Sequence, residues 1–336
     1  MASLRVPQVA SRVDDRPLQV DRRRIPLALE RATGYDHHME GPPPLKRPPW
    51  IRVHRLDAET RLRIDESLDG LPTVCVSANC PNIGECWSRG TATFMIMGDT
   101  CTRACRFCNV MSGKPGALNP HEPQILAESV AKMGLKYAVL TCVDRDDLPD
   151  FGAAHWAACI GAVRRRNPGV KIETLIGDMR GREADIATVV RACPDVLVHN
   201  VETVPRLQHI VRHPANWANS TRVLVYGKEV ARTESFELLT KTGMMFGLGE
   251  TKEEVKEAMA LLRDCDIDLL TLSQYLKPNQ SERKWEVQRY VHPDEFAELA
   301  EYALSLGFQG VMASPLTRSS YRAETLYYPA TSSGEE

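Results

Sequence analysis

The chain has 336 residues, enough to bury a full core as one large domain or two ordinary ones. Its 42 basic and 44 acidic side chains nearly cancel, leaving a formal charge of -2 and no global electrostatic case for nucleic acid or an anionic membrane. No apolar run approaches the roughly 20 residues that span a bilayer, and the first residues hold no hydrophobic signal core, so we expect a soluble, cytoplasmic protein with no nucleic-acid or membrane partner.

Taken in order, residues 1–50 read as an extension: charged, poor in periodicity, carrying Arg22-Arg23-Arg24 and ending in Gly41-Pro42-Pro43-Pro44 and Pro48-Pro49, prolines that hold a segment extended. Arginine-rich transit peptides are poor in acids, and Asp14, Asp15 and Asp21 speak against one. Residues 51–92 form a cysteine-bearing segment. From Thr93 short apolar runs alternate with stretches of helical length. The spacing predicts strands over 93–97, 137–142, 171–176, 196–199, 242–248, 269–274 and 309–313. Helices are predicted near 153–166, 183–193, 252–264 and 294–306, and Ile125, Leu126, Val130 and Met133 mark one face of another. Alternating strands and helices imply a parallel sheet with helical crossovers, so 93–313 reads as an α/β, incomplete (β/α)6-type TIM-like barrel, with an N-terminal cluster-binding extension and a C-terminal extension over 314–336. In such a barrel chemistry sits on loops after the strands. That edge receives Val143-Asp144-Arg145-Asp146-Asp147, His199-Asn200-Val201-Glu202 and Gly247-Leu248-Gly249-Glu250-Thr251, the last continuing into a capping box of Thr251 with Glu254.

Ten cysteines in a chain this long, six of them between 75 and 108, read as ligands in a reducing compartment rather than as a disulfide framework. Cys142, Cys159, Cys193 and Cys265 stand singly and read as buried small hydrophobes. The run Cys101-Thr-Arg-Ala-Cys105-Arg-Phe-Cys108 follows the first strand directly and spaces three thiols C-x3-C-x2-C. Thiolates favour iron-sulfur clusters, zinc or Cu(I). A cubane cluster normally takes four cysteines, so three leave one iron open to a small molecule, and Phe107 suits a shielded cluster. Zinc wants four closed N or S ligands, and no histidine lies between Cys75 and Cys108. A second set, Cys75, Cys80 and Cys86, is spaced C-x4-C-x5-C. Two sets of three are hard to satisfy with one metal, so we infer two clusters, the second also short of a local fourth ligand.

The C-x3-C-x2-C run with an aromatic before its last thiol resembles the motif of the radical S-adenosylmethionine (SAM) superfamily. Within it, Cys80-Pro-Asn-Ile-Gly-Glu-Cys86-Trp87, Gly98-Asp99-Thr100-Cys101-Thr102-Arg103, Val143 to Leu148, Asn200-Val201-Glu202-Thr203-Val204-Pro205, Gly247 to Thr251 and Arg318-Ser319-Ser320-Tyr321 resemble the lipoyl synthase family over about residues 70–325. The resemblance implies that Cys101, Cys105 and Cys108 hold a 4Fe-4S cluster that binds SAM. It also implies that Cys75, Cys80 and Cys86 hold an auxiliary 4Fe-4S cluster whose fourth ligand is a serine of the Arg-Ser-Ser-Tyr motif, for which we choose Ser320 over Ser319. A serine alkoxide is a hard ligand on a soft site and the easiest to release.

The activity so implied is insertion of two sulfur atoms at C6 and C8 of an octanoyl group on a lysine. Radicals derived from SAM open the C-H bonds and the auxiliary cluster donates the sulfur. The implied partners are octanoylated lipoyl-carrier domains (the glycine cleavage H protein and E2 subunits of 2-oxoacid dehydrogenases), reduced ferredoxin or flavodoxin as electron donor, and an iron-sulfur cluster carrier. Asn200 and Glu202 are our candidates for contacts to SAM. Two other readings stay open on the residues alone. One is a different sulfur-inserting radical SAM enzyme such as a methylthiotransferase, which has no need of Arg318 to Tyr321. The other is a non-catalytic two-cluster electron carrier or zinc scaffold, which calls for four protein ligands at each site.

Overall fold

Seven parallel strands carry the molecule: β1 (Thr93–Ile96), β4 (Tyr137–Cys142), β5 (Lys171–Leu175), β6 (Val196–Val198), β7 (Leu239–Phe246), β8 (Leu269–Gln274) and β9 (Gly310–Ala313), adjacent in that order. Two short strands, β2 (Thr100–Cys101) and β3 (Met111–Ser112), pair separately. The computed structural model describes residues 45–52, 59, 62, 70–77, 80–88 and 93–332. The arginine triplet and the prolines at 42–44 lie outside these, as do the last four residues.

Short helices α1 (Val74–Ser77) and α2 (Ile83–Ser88) precede the barrel. Crossovers are made by α3 (Glu122–Lys132), α4 (Ala153–Arg166), α5 (Glu183–Val190), α6 (Gln208–Val211) with α7 (Trp217–Thr233), α8 (Lys252–Asp264) and α9 (Pro293–Ser305), and α10 (Glu324–Ser332) ends the chain's described part. Six crossovers join seven strands, and β1 and β9 do not pair among the described residues, so the barrel is open on one side as expected.

The outward faces of the strands, with Leu140, Ile172, Leu197 and Leu272, pack on helix stripes such as Leu126 and Val130 of α3 or Val255, Met259 and Leu262 of α8. The predicted capping box at Thr251 and Glu254 starts α8. Inside the barrel the layers differ in chemistry. At the bottom Val196, Val198 and Leu269 meet Leu326 and Tyr327 of α10, which plugs the bore. Above them Lys241 Nζ donates to both Glu173 oxygens at 2.9 and 3.0 Å, with side chains 0% and 1% exposed, and Tyr137 Oη donates to Glu173 at 2.7 Å. A buried ion pair holds only when its remaining hydrogen-bonding capacity is met, which Tyr137 helps to do. Above this layer the bore opens into a cavity.

Some expectations need correction. Strand β7 begins three residues before Thr242: its opening Leu-Thr-Lys reads as loop until Glu173 neutralises Lys241 across the bore. Helix α7 was not predicted, although Trp217, Thr221, Leu224 and Val230 are spaced for one buried face. Its Gly227 lies so near the sheet that an added Cβ would meet Leu197 Cδ2 at 2.3 Å. Helix α5 ends at Val190 rather than 193. Cys193, expected to be buried, is therefore past the helix in a left-handed turn (φ 57°) and exposed. Cys159 and Cys265 are buried as expected, and Cys142 is half-buried.

Candidate active site

The first cysteine loop is tied down at both ends. Met97 and Gly98 take left-handed φ (67° and 91°) and turn the chain off β1, and Gly113 N donates to Cys101 O at 2.9 Å where the loop closes. Thr102 donates from its N and Oγ1 to Asp144 O at 3.0 and 2.9 Å. Arg103, buried, forks onto Asp146 with two bonds of 2.8 Å and reaches Asp178 at 2.7 Å and Asp144 at 3.7 Å. One guanidinium thus joins the loops after β1, β4 and β5. Burial opposes ionisation of Asp178, but the Arg103 hydrogen bond and charge outweigh it and hold the carboxyl down at about 2.

From the far side the irregular stretch after β8 clasps the same loop. Trp285 N donates to Arg106 O at 3.0 Å, the Arg106 guanidinium lies 4.3 Å from the Trp285 ring, and Lys284 Nζ donates to Cys108 O. Backbone N–H groups of Arg103 and Val110 point at the Cys101 and Cys108 sulfurs, each at 3.4 Å. Burial, reinforced by Asp144, pushes the Cys101 thiol up to about 11, and burial pushes Cys105 up to about 12. A metal must therefore displace protons to bind. Three thiols within eight residues, two of them met by N–H groups and Cys108 facing open space, fit a 4Fe-4S cluster with one iron left accessible.

The second set is assembled from distant segments. Cys75 lies on α1 and Cys86 on α2, with Cys80 between, its N–H donating to Cys75 O at 3.0 Å. Residues 72 and 73 dock beside β1 through Met95 N to Pro72 O, 2.9 Å. The segment after β9 folds back over this set, where Leu316 O accepts from Asn82 Nδ2 at 2.5 Å. A small cavity is lined by Cys75, Cys80, Cys86, Arg318 and Ser320. Ser319 faces elsewhere, its Oγ donating to Asn200 Oδ1 at 2.8 Å. Burial first, then the neighbouring Cys80 and Cys75, push the Cys86 thiol up to about 12.

Both sets border one large cavity of about 660 Å³. Its lining includes Cys75, Cys80 and Ser320 on one side and Cys108 and Phe107 on another, with Asn200 and Glu202 at the end of β6 and an apolar wall of Leu175, Met245, Tyr275 and Leu276. Six predicted site residues thus meet at one space, while Cys86 faces the adjoining small cavity and Cys101 and Cys105 lie in the loop behind Cys108. Glu202 adopts φ 67° and its carboxyl is raised by burial, against the pull of Arg212. Arg212 Nη1 also holds Asn200 O at 2.7 Å. At Gly243 a Cβ would come within 2.6 Å of Thr271 Oγ1 and 2.9 Å of Asn200 Oδ1, so a bare backbone is what lets Ser319 dock on Asn200. Sequence reasoning did not single out Arg103, Tyr275 or Arg47, which also lines the cavity. For Arg103 its place inside the thiol run was the available sign.

An open parallel barrel with three thiols on the loop after its first strand defines the radical SAM enzymes, and residues 95–262 match the family described as the Radical SAM superfamily. The chain is 47% identical over 285 residues to the lipoyl synthase of Caldicellulosiruptor bescii, covering 83% of this chain and 95% of that one. It is 48% identical over 287 residues to the lipoyl synthase of Pyrobaculum calidifontis, covering 84% and 97%. The chain belongs to the lipoyl synthase family. Among solved structures, the FeFe-hydrogenase maturase HydG from Carboxydothermus hydrogenoformans superposes with a TM-score of 0.51 at 14% identity, covering 71% of this chain and 56% of that one, a likeness of fold.

Proposed function

We propose that this enzyme inserts two sulfur atoms, at C6 and C8, into an octanoyl-lysine presented by a lipoyl-carrier domain. Cys101, Cys105 and Cys108 would hold the cluster that binds SAM, and Cys75, Cys80, Cys86 and Ser320 a second one. When bound, the first cluster with SAM supplies a 5'-deoxyadenosyl radical able to take hydrogen from an unactivated C-H, and the second supplies sulfide. One observation carries the reading: residues of both cysteine sets border the same 660 Å³ cavity, a size suited to enclosing a small ligand.

The chain's own residues supply position. Leu175, Met245, Tyr275 and Leu276 offer an apolar wall along which the octanoyl chain lies, keeping its reacting carbons between Cys108 and Ser320 and away from water. Asn200 and Glu202 provide polar atoms for the amino or ribose groups of SAM. Ser320, a hydroxyl among thiols, is the ligand easiest to release as the auxiliary site gives up sulfur. We assign 51–92 and 314–336 jointly to the auxiliary site and 93–313 to the radical barrel. H protein and E2 carrier domains, reduced ferredoxin or flavodoxin and a cluster carrier are the partners we propose, in the cytoplasm. No helix among the described residues is long and apolar enough to cross a membrane.

The test is anaerobic: reconstituted protein, SAM, a strong reductant and an octanoyl-lysine peptide, with the peptide mass read before and after. A gain of two sulfurs is expected. Changing Cys75, Cys80 and Cys86 to Ala should leave release of 5'-deoxyadenosine but no sulfur gain. Sulfur gain in that variant, or none in the parent, would overturn the assignment.

A further inference from the structure

We infer that Glu85 and Tyr321 are positioning residues for the auxiliary site, forming a latch that fixes Ser320 against Cys75, Cys80 and Cys86. The inference deepens the reading above and rests on its assignment of that site. Glu85 lies inside the C-x5-C spacing, one residue before Cys86 on α2. Its two oxygens accept from Tyr321 Oη at 2.9 and 3.0 Å, and Oε1 also accepts from Arg322 Nη2 at 2.6 Å. Hydrogen bonds to an ionised carboxylate are among the stronger ones a side chain makes.

The latch explains how the serine pair divides its work. Ser319 is fastened to the barrel through Asn200, Tyr321 is fastened to the cysteine helix through Glu85, and Tyr321 N donates to Arg318 O at 2.9 Å, closing a turn around Ser319 and Ser320. Ser320 is the member left facing the three cysteines, as their shared cavity shows. A hydroxyl has little intrinsic affinity for a site built of soft donors, so its place must be imposed by the groups that hold it. Tyr321 and Glu85 are 236 residues apart, so nothing local in the chain holds the serine's segment to α2, and this bond joins the Asn82–Leu316 bond in doing so. Because the latch grips the neighbours and not Ser320 itself, the serine can leave a cluster while its segment stays in place.

The test compares holoenzyme carrying Glu85→Ala, Tyr321→Phe, Glu85→Gln or Ser320→Ala with the parent, reading the Mössbauer signature of the auxiliary cluster and the rate at which a chelator strips its iron. The signal of the Cys101 set serves as the control for folding. Glu85→Ala should reproduce the Ser320→Ala signature and lose auxiliary iron about 10- to 100-fold faster than the parent, the usual range when a group supporting a ligand is removed, and Tyr321→Phe, which leaves Arg322 on Glu85, should shift both readouts the same way by less. Glu85→Gln, whose amide oxygen still accepts from Tyr321, should recover most of the parent's behaviour. Parent-like signature and rate in both Glu85→Ala and Tyr321→Phe would overturn the latch. A parent-like signature in Ser320→Ala would instead overturn the ligand assignment, and the latch with it.

Discussion

Cys101, Cys105 and Cys108 hang from the barrel itself, whereas Cys75, Cys80 and Cys86 hang from two short helices that the barrel only borders. The first loop is held by Arg103 to carboxylates after two other strands, by Thr102 to Asp144, and from above by Lys284 and Trp285. The second set has the docking of residues 72 and 73 beside β1 and a few bonds to the chain's far end, chiefly Asn82 to Leu316 and Glu85 to Tyr321. Bonds rooted in neighbouring strands share the barrel's cooperative core, while the second set's ties lie outside that core and are few, the condition under which a region opens locally. On the roles proposed above, the firmer hold serves the cluster that is kept and the lighter hold the one that gives up its sulfur.

Arg103→Ala should cut deepest. It strands Asp178, 1% exposed, and half-buried Asp146 without their cation, a loss of about 3–5 kcal/mol for a buried pair broken on one side. Denaturant unfolding should show that loss, and iron analysis should show the Cys101 set emptied with the auxiliary iron retained. Equal loss at both sites would erase the contrast between them.

Acid should act next, on the barrel side. His199 donates from Nδ1 to Ile176 O at 2.8 Å, and its Nε2 faces Arg212 Nη2 at 3.1 Å, which can only donate, so the ring is neutral. Burial, then the Arg212 charge, pushes its pKa from 6.5 down to about 3. Between those values the unfolded chain binds a proton that the folded one refuses, so stability rises with pH and is lost as pH falls below 6.5. At pH 5 the loss is about 2 kcal/mol. His199→Gln should flatten that slope in unfolding midpoints measured from pH 7 to 5, and an unchanged slope would mean that His199 is not its source.

Asn82→Ala should have the smallest effect, about 1 kcal/mol for one neutral hydrogen bond. Its sign is in where the effect appears: faster loss of auxiliary iron to a chelator, with no change in the signal of the Cys101 set.

Much of this was legible in the sequence because it is local. Three thiols in eight residues, a second trio in twelve, alternating strand and helix patterns and the Thr251 capping box are all settled within one or two turns of chain, and spacing reports them directly. The exposed position of Cys193 and the start of β7 were misread where the deciding partner lay elsewhere: a helix that stops early, and Glu173 waiting across the bore for Lys241. The sequence alone determined which residues can bind soft metals and that a parallel barrel presents one set of them. Only the tertiary structure decided that both sets border one cavity, that Ser319 turns to Asn200 while Ser320 faces the cysteines, and that Glu85 reaches Tyr321. The two serine placements and the Glu85–Tyr321 bond join residues more than a hundred positions apart, and their geometry exists only once the strands have set the distances between them.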